Sequence, residues 1–254
     1  MIDLHSHILP GLDDGATDLA AALEIARAAV ADGITAIAAT PHVREDYPTT
    51  ADAMESGVRQ LRALLEREGI ELELQPGGEV SLEQLDRLSH DELRRFGLGG
   101  NPNYLLIETP YWDWPPPFGE VVARVRSLGM NPVIAHPERN PAVQADLRKV
   151  AALVDAGALI QLTAASLDGR LGSRTRANAR KLVDAGLVHL IGSDAHSADI
   201  REVGLSGARK VIGDEPLALW LTESVPEAIL RDEPLPPRPT PTKRPGLLAR
   251  LLGG

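Results

Sequence analysis

Residues 1–16 read MIDLHSHILPGLDDGA. The apolar start, Met1–Leu4, suits a short β-strand and runs straight into His5 and His7. In an extended chain, side chains two residues apart share a face, so both imidazoles leave the strand on one side. The acidic pair Asp13–Asp14 follows within a short loop. Two histidines alone are not a site. Their meaning depends on whether other strands end in the same way.

Six further apolar runs have strand character: Ile34–Ala39, Glu71–Gln75, Tyr104–Ile107, Pro132–Ala135, Ala158–Leu162 and Val188–Ile191. Between them lie helix-like segments that stop at glycine, the usual helix terminator. DLAAALEIARAAVADG ends at Gly33, and TTADAMESGVRQLRALLEREG runs from a Thr cap to Gly69. PFGEVVARVRSLG, DLRKVAALVDAG and TRANARKLVDAG end the same way. Such alternation implies a parallel sheet with crossover helices. About seven repeats predict an α/β fold closed as a TIM-like barrel. After Asp232 the composition turns Pro-rich, EPLPPRPTPTKRPG, and ends in the apolar LLARLL at Leu247–Leu252. This predicts a barrel over residues 1–232 and a flexible tail over 233–254.

The residues that follow the strands answer the opening question. The first run delivers His5 and His7, and the second enters TPH with His42. The third enters PGGEV with Glu79, and the fourth ends IETP with Glu108. The fifth runs into AHPERN with His136, and the seventh into GSDAH with Asp194 and His196. In a parallel barrel the C-terminal strand ends share one face, where active sites are built. Imidazole and carboxylate together bind borderline divalent metals such as zinc, manganese and iron. A mixed set of this size exceeds one ion and suits two or three metals acting on a phosphate ester.

Taken singly, each residue has a simpler reading. His42 after Pro41 suits a turn, Glu79 a helix cap and Glu108 an ion pair. Asp13–Asp14–Gly15 suits a turn as well. His189 reads as a packed core histidine and His90 as a solvated one. Joint placement at six strand ends is what the simple readings do not explain.

Composition narrows the class. The 254 residues are 43% hydrophobic but only 3% aromatic, so the core is mainly aliphatic and Ala. The net charge of −10 argues against a broad nucleic-acid or anionic-membrane surface. There is no cysteine, which excludes disulfides and cysteine-based phosphatase chemistry. No signal pattern opens the chain, and no apolar run approaches the ~20 residues of a membrane span. The expected location is cytoplasmic.

These motifs resemble the polymerase-and-histidinol-phosphatase (PHP) superfamily, and more closely its bacterial capsule-type protein-tyrosine phosphatases. The resemblance rests on HSHILPGLDDGA, TPH at Thr40–His42, GGEV at Gly77–Val80, ETP at Glu108–Pro110, HPERN and SDAH, and spans residues 1 to about 230. It implies a distorted seven-stranded barrel with three divalent metals, manganese foremost, with iron or zinc as alternatives. By position, His5, His7, Glu79 and Asp194 would hold one metal. Glu79, Glu108 and His136 would hold a second, with Glu79 bridging. Asp14, His42 and His196 would hold the third, the choice between Asp13 and Asp14 being open from the residues alone.

The phosphate-binding arginines would be Arg139 and Arg201. A guanidinium three residues past a ligand also makes sense by itself, because it forks onto phosphate oxygens. Arg201 stands next to Glu202, so an ion pair competes with that role. The implied reaction is direct attack on phosphorus by a metal-bridging hydroxide, with His42 or His196 assisting through water. The implied substrate is a phosphotyrosine protein such as a bacterial tyrosine kinase of polysaccharide export, and the enzyme could be an oligomer. The competing readings are a small phosphate ester, such as histidinol phosphate or a nucleotide, and a binding module without turnover. The stretches VREDYPTT and YWDWPPPF depart from the family pattern and are expected near the mouth of the site.

Overall fold

The computed structural model describes residues 1–115, 118–198 and 203–240. Its nine strands are β1 Ile2–Ser6, β2 Ala36–Ala39, β3 His42–Val43, β4 Glu73–Gln75, β5 Glu79–Val80, β6 Tyr104–Glu108, β7 Asn131–Ala135, β8 Leu159–Thr163 and β9 Leu190–Gly192. Every ladder is parallel. β1, β2 and β4 form one sheet, and β3, β5, β6, β7, β8 and β9 form another in that order.

The two sheets are one interrupted wall. β2 continues into β3 across Thr40–Pro41, and β4 into β5 across residues 76–78. Pro41 has no N–H to give to a ladder, and its carbonyl instead accepts from Glu79 N at 3.0 Å. Counted along the described residues there are thus seven strands, at the seven places the sequence predicts. The two breaks are what distort the barrel, and the two-residue strands β3 and β5 are too short for apolar periodicity to reveal.

The circle closes at a narrow seam between β9 and β1. A single parallel bridge joins Ser6 to Ala195. Asp194 N donates to His5 O and His7 N to Ala195 O, both at 2.8 Å. Gly192 permits this approach, because a Cβ there would lie 2.7 Å from His5 Cβ. The interior is aliphatic: Leu4, Ile37, Leu74, Leu106, Ile134 and Ile191 are all buried.

All five predicted helices form, and their ends follow the predicted chemistry. Asp18 caps Leu19–Ala31 by accepting from Ala21 N, and Thr50 caps Ala51–Arg67 by accepting from Ala53 N. Their buried faces, including Ile25 on the first and Met54, Val58 and Leu61 on the second, pack on the barrel wall.

Residues 233–240 of the tail are described. The helix Val225–Arg231 ends at Asp232, but the chain that follows does not stand free over 233–240. Pro236 O accepts from Trp220 Nε1 at 2.9 Å, and the Arg238 guanidinium stacks over the Trp220 ring at 5.2 Å. Arg238 donates to Val188 O at 2.5 Å and to Val183 O at 3.3 Å. A Pro-rich segment holds an extended shape with little entropy left to lose, which makes it a good strap. Residues 241–254, including LLARLL, lie outside the described residues.

Candidate metal centre

Nine side chains converge at the C-terminal end of the barrel: His5, His7, Asp14, His42, Glu79, Glu108, His136, Asp194 and His196. Eight of them come from or directly follow β1, β3, β5, β6, β7 and β9, and Asp14 comes from the loop after β1. His5, His42 and Glu79 lie within strands rather than after them, and Glu108 closes β6. They form four overlapping groups, each with ligand atoms within 4.8 Å of one another: His7–Asp14–His42–His196, His5–Glu79–His136, His5–His7–Asp194 and His42–Glu79–Glu108. Glu79 belongs to two of them. Among the nine only Asp14 is exposed.

The backbone is bent to bring them together. His136 (φ 39°) and Asp194 (φ 54°) are two of the three non-glycine residues with positive φ among those described. That conformation is disfavoured for an L-residue and persists only where the surroundings impose it. Gly15 is required by contact: a Cβ there would fall 2.1 Å from His7 O. Only glycine lets the Asp13–Asp14 loop fold back onto the strand end.

Hydrogen bonds fix the ring nitrogens. His7 Nδ1 donates to Asp13 Oδ2 at 2.6 Å, an acceptor that also takes His42 N at 2.9 Å. His5 Nδ1 faces Gln161 Oε1 at 3.0 Å, and the Gln161 amide is oriented because its Nε2 donates to Leu162 O. His196 Nδ1 donates to Asp194 O at 2.9 Å. In the neutral form each of these rings carries its proton on Nδ1 and turns an Nε2 lone pair to the cluster.

The consequence is an excess of acceptors. His5 Nε2 and His7 Nε2 are 3.3 Å apart, and Asp194 Oδ1 lies 3.3 and 3.2 Å from them. His196 Nε2 and His42 Nε2 lie 3.2 and 3.4 Å from Asp14 Oδ1. Glu79 Oε1 is 2.7 Å from His136 Nε2. Glu79 Oε2 and His42 Nδ1, 3.0 Å apart and buried, each lack a hydrogen-bond partner. Buried imidazole and carboxylate ligand atoms crowded this closely are what a cation satisfies. The donor set of imidazole and carboxylate fits zinc, manganese or iron.

Proton equilibria carry the same signature. Burial works to raise Glu79, but the imidazoles of His5, His136 and His42 together hold it well below the usual carboxylate range. Burial likewise opposes ionisation of Asp194, and Arg139 and His5 outweigh it. Burial, with the Arg139 charge adding to it, pushes His136 down to about 4. Glu108 is pushed up to about 7 by burial and by the Glu79 charge beside it. Two carboxylates this close favour one proton or a metal between them.

Arg139 sits on the 3-10 turn Pro137–Arg139, 2.5 Å from Asp194 Oδ2, and donates to Thr163 Oγ1 at 2.6 Å. Its buried Nε has no partner. Glu138 pins this turn from beneath, accepting from Thr163 N and Ser166 Oγ. Arg201 lies outside the described residues. His189, half-buried beside Trp220, and exposed His90 are not in the cluster. Arg44, in the first departing stretch, pairs with Glu108 Oε1 at 2.9 Å, and Tyr111, in the second, stacks on His136 with ring centroids 6.1 Å apart. Both therefore border the site.

Three supporting residues were not picked out from the sequence as such. Asp13 orients His7, Gln161 orients His5, and Glu138 holds the Arg139 turn. Gln161 stood out only by position. It is the polar residue of LIQLT, in the one strand that delivers no His, Asp or Glu.

No helix among the described residues is long and apolar enough to cross a membrane. Residues 1–217 match the family model for capsular polysaccharide synthesis, CpsB/CapC. The tyrosine-protein phosphatase YwqE of Bacillus subtilis is 36% identical over 252 residues, covering 96% of this chain and 98% of that one. The tyrosine-protein phosphatase CpsB of Streptococcus agalactiae is 28% identical over 218 residues, covering 84% and 89%. A solved structure from work on YwqE of Bacillus subtilis and CpsB of Streptococcus pneumoniae, metal-dependent tyrosine phosphatases, superimposes with TM-score 0.85 at 35% identity, covering 96% of this chain and all of that one. A histidinol phosphate phosphatase of Lactococcus lactis shares the fold, with TM-score 0.54 at 12% identity and 87% of this chain covered. With its family model spanning the barrel and a relative this similar along nearly its whole length, the chain belongs to the CpsB/CapC family of capsular polysaccharide synthesis.

Proposed function

We propose that this protein is a metal-dependent protein-tyrosine phosphatase that regulates capsule or exopolysaccharide synthesis. The observation that carries the reading is the buried convergence of the His5, His7 and Asp194 ligand atoms beside Glu79. His5, His7, Glu79 and Asp194 would hold one ion, Glu79, Glu108 and His136 a second, and Asp14, His42 and His196 a third. Glu79 would bridge the first two. Manganese is the first candidate, with iron or zinc as alternatives. Bound divalent ions supply Lewis acidity, acidifying water and neutralising the phosphate and leaving-group oxygens.

The chain's own groups do the rest. Asp13, Gln161 and the Asp194 carbonyl keep the Nδ1 protons of His7, His5 and His196 turned away, so these rings are ligands first. His42 makes no such backbone bond through its ring and is the better placed of the two histidines to pass a proton to the leaving oxygen. Arg139 orients the phosphate, its unpartnered Nε being the donor still available. Arg201 is proposed as its second arginine on the resemblance alone. Without cysteine no phosphocysteine intermediate can form. A phosphotyrosine protein, such as a tyrosine kinase of polysaccharide export, is the proposed substrate, met in the cytoplasm.

The test is a comparison of kcat/KM for a phosphotyrosine peptide, histidinol phosphate and a nucleotide, each with added manganese. The phosphotyrosine peptide is expected to be preferred by at least an order of magnitude. A preference for histidinol phosphate would overturn the substrate assignment and keep the chemistry. Loss of all three would leave only a binding module.

A further inference from the structure

Beside the cluster lies a cleft of 240 Å³ with Glu108 at its inner end. Tyr111 forms one wall, and its ring also stacks on His136, so the cleft and the cluster share a boundary. Asp46, Ser81, Glu83 and Arg44 supply its other polar lining, and Leu82 and Pro110 the apolar part. The one cation there is already engaged: Arg44 grips both oxygens of Asp46 at 2.7 and 2.9 Å and reaches Glu108 at 2.9 Å. Glu83 is exposed and makes no ion pair among the described residues. The lining thus carries more carboxylate than guanidinium.

A carboxylate-rich entrance is a poor match for a phosphate dianion by itself. Ser81 adds a second, independent observation. It follows β5 directly, two residues past Glu79, and is 5% exposed. The residue lines the cleft, and its buried Oγ has no hydrogen-bond partner. A buried hydroxyl without a partner is costly unless something outside the chain supplies one. An ammonium offers three donors and no acceptor, and a guanidinium five donors. The hydroxyl and the two carboxylates are all able to accept.

We propose that this cleft is a specificity subsite for a cationic side chain, a lysine or arginine flanking the phosphotyrosine in the substrate polypeptide, received by Ser81 Oγ, Glu83 and Asp46. The assignment rests on the phosphotyrosine-phosphatase reading above. The phosphate enters over the cluster, and the neighbouring cation enters past Tyr111. Substrates with basic residues beside the tyrosine are selected, and acidic neighbours are repelled.

The experiment uses the full chain and peptides of equal length that carry phosphotyrosine with lysine, glutamine or glutamate at each of the two positions on either side. A small aryl phosphate is the control. In the wild type, lysine at one of these positions should raise kcat/KM about tenfold over glutamine, the size of a charge-assisted hydrogen bond in a partly shielded site. The lysine-to-glutamine ratio should fall toward one in Glu83→Gln and in Ser81→Ala, and should reverse toward glutamate in Glu83→Lys. It should also shrink as salt rises. A ratio of one in the wild type, a ratio unchanged in the variants, or a preference indifferent to salt would overturn the subsite. If the aryl phosphate is hydrolysed in those cases, the phosphatase reading stands without it. If the wild type with manganese hydrolyses neither the aryl phosphate nor any peptide, the phosphatase reading itself falls.

Discussion

The Asp13 carboxylate takes the Nδ1 proton of His7 at 2.6 Å, while its neighbour Asp14 turns into the cluster, 3.2 Å from His196 Nε2. The paired aspartates therefore do different work. Asp13 orients a ligand, and Asp14 is placed to be one.

Asp13→Asn can present an N–H to His7 Nδ1 and favour the wrong tautomer. It is expected to weaken metal binding by roughly 10- to 100-fold, the usual cost of losing such an orienting partner. Asp14→Asn removes a charged donor directly and should lower the number of ions bound. Metal content after dialysis, with calorimetric titration of manganese, separates the two. Equal and full metal content in both variants would show the assignment to be wrong.

Chelation is expected to abolish aryl phosphate hydrolysis, and manganese to restore it. Asp194→Ala should reduce the rate by orders of magnitude, because it removes a donor shared by His5 and His7 and strands the buried Arg139 charge. Full turnover by protein shown to be metal-free would end the metal reading.

For Arg139, the alanine and lysine variants should both lose roughly 2–4 kcal/mol of transition-state stabilisation, about 30- to 1000-fold in rate. Because Arg139 also holds Asp194 at 2.5 Å, metal analysis has to accompany the kinetics. A rate loss at full metal content identifies phosphate binding. A loss that follows the metal content identifies support of the ligand.

His189 gives a pH signature away from the cluster. Burial, with the Arg238 charge adding to it, pushes its pKa down to about 4 from the ordinary 6.5, and its Nδ1 accepts from Ile160 N. Below about 6.5 the unfolded chain takes up a proton that the folded chain refuses. Stability is therefore full above pH 6.5 and falls as pH drops toward 4, by roughly 2–3 kcal/mol. Denaturant titrations of wild type and His189→Gln across this window should differ in slope, the variant being flatter. Parallel curves would exclude His189 from this loss.

A chain ending at Asp232 loses the Trp220–Pro236 bond and the Arg238 stack, and uncovers the Trp220 ring. It is expected to be about 1–3 kcal/mol less stable than a chain ending at Thr240, from the partly buried hydrogen bonds of Pro236 and Arg238 and one cation–π contact. Melting curves and tryptophan emission of the two truncations provide the comparison. Identical stability would mean that the strap contributes nothing.

What the sequence revealed and what it hid have physical causes. The seven strand positions and five helices were legible because apolar runs, caps and terminal glycines are local signals. Eight of the nine converging residues were legible because each lies at or near a strand end, whereas the choice of Asp14 over Asp13 was not. The breaks at Pro41 and Pro76–Gly78 were not, since a two-residue strand such as His42–Val43 has no period. Gln161 was not, because an amide in an apolar strand resembles any tolerated polar residue until His5 is seen beside it. The contacts of residues 233–240 were not legible, because a Pro-rich segment has the same composition whether docked or free, and only the Trp220 and Arg238 partners reveal them.

The narrow seam between β9 and β1 has one further consequence. Its strand pairing is a single bridge, supported by Ser193 N donating to Asp3 Oδ1 and Ser193 Oγ to His5 O, yet His5 and His7 stand on one side of it and Asp194 and His196 on the other. An ion gripped by these residues would act as a clasp between the two ends of the barrel, closing a loop of nearly the whole domain. Loop closure of that length carries a large chain-entropy cost, and a ligand that binds only the closed form shifts the balance toward it. The cofactor would then be a folding element as well as a catalytic one, and its loss would open the wall where the chain begins and the barrel ends.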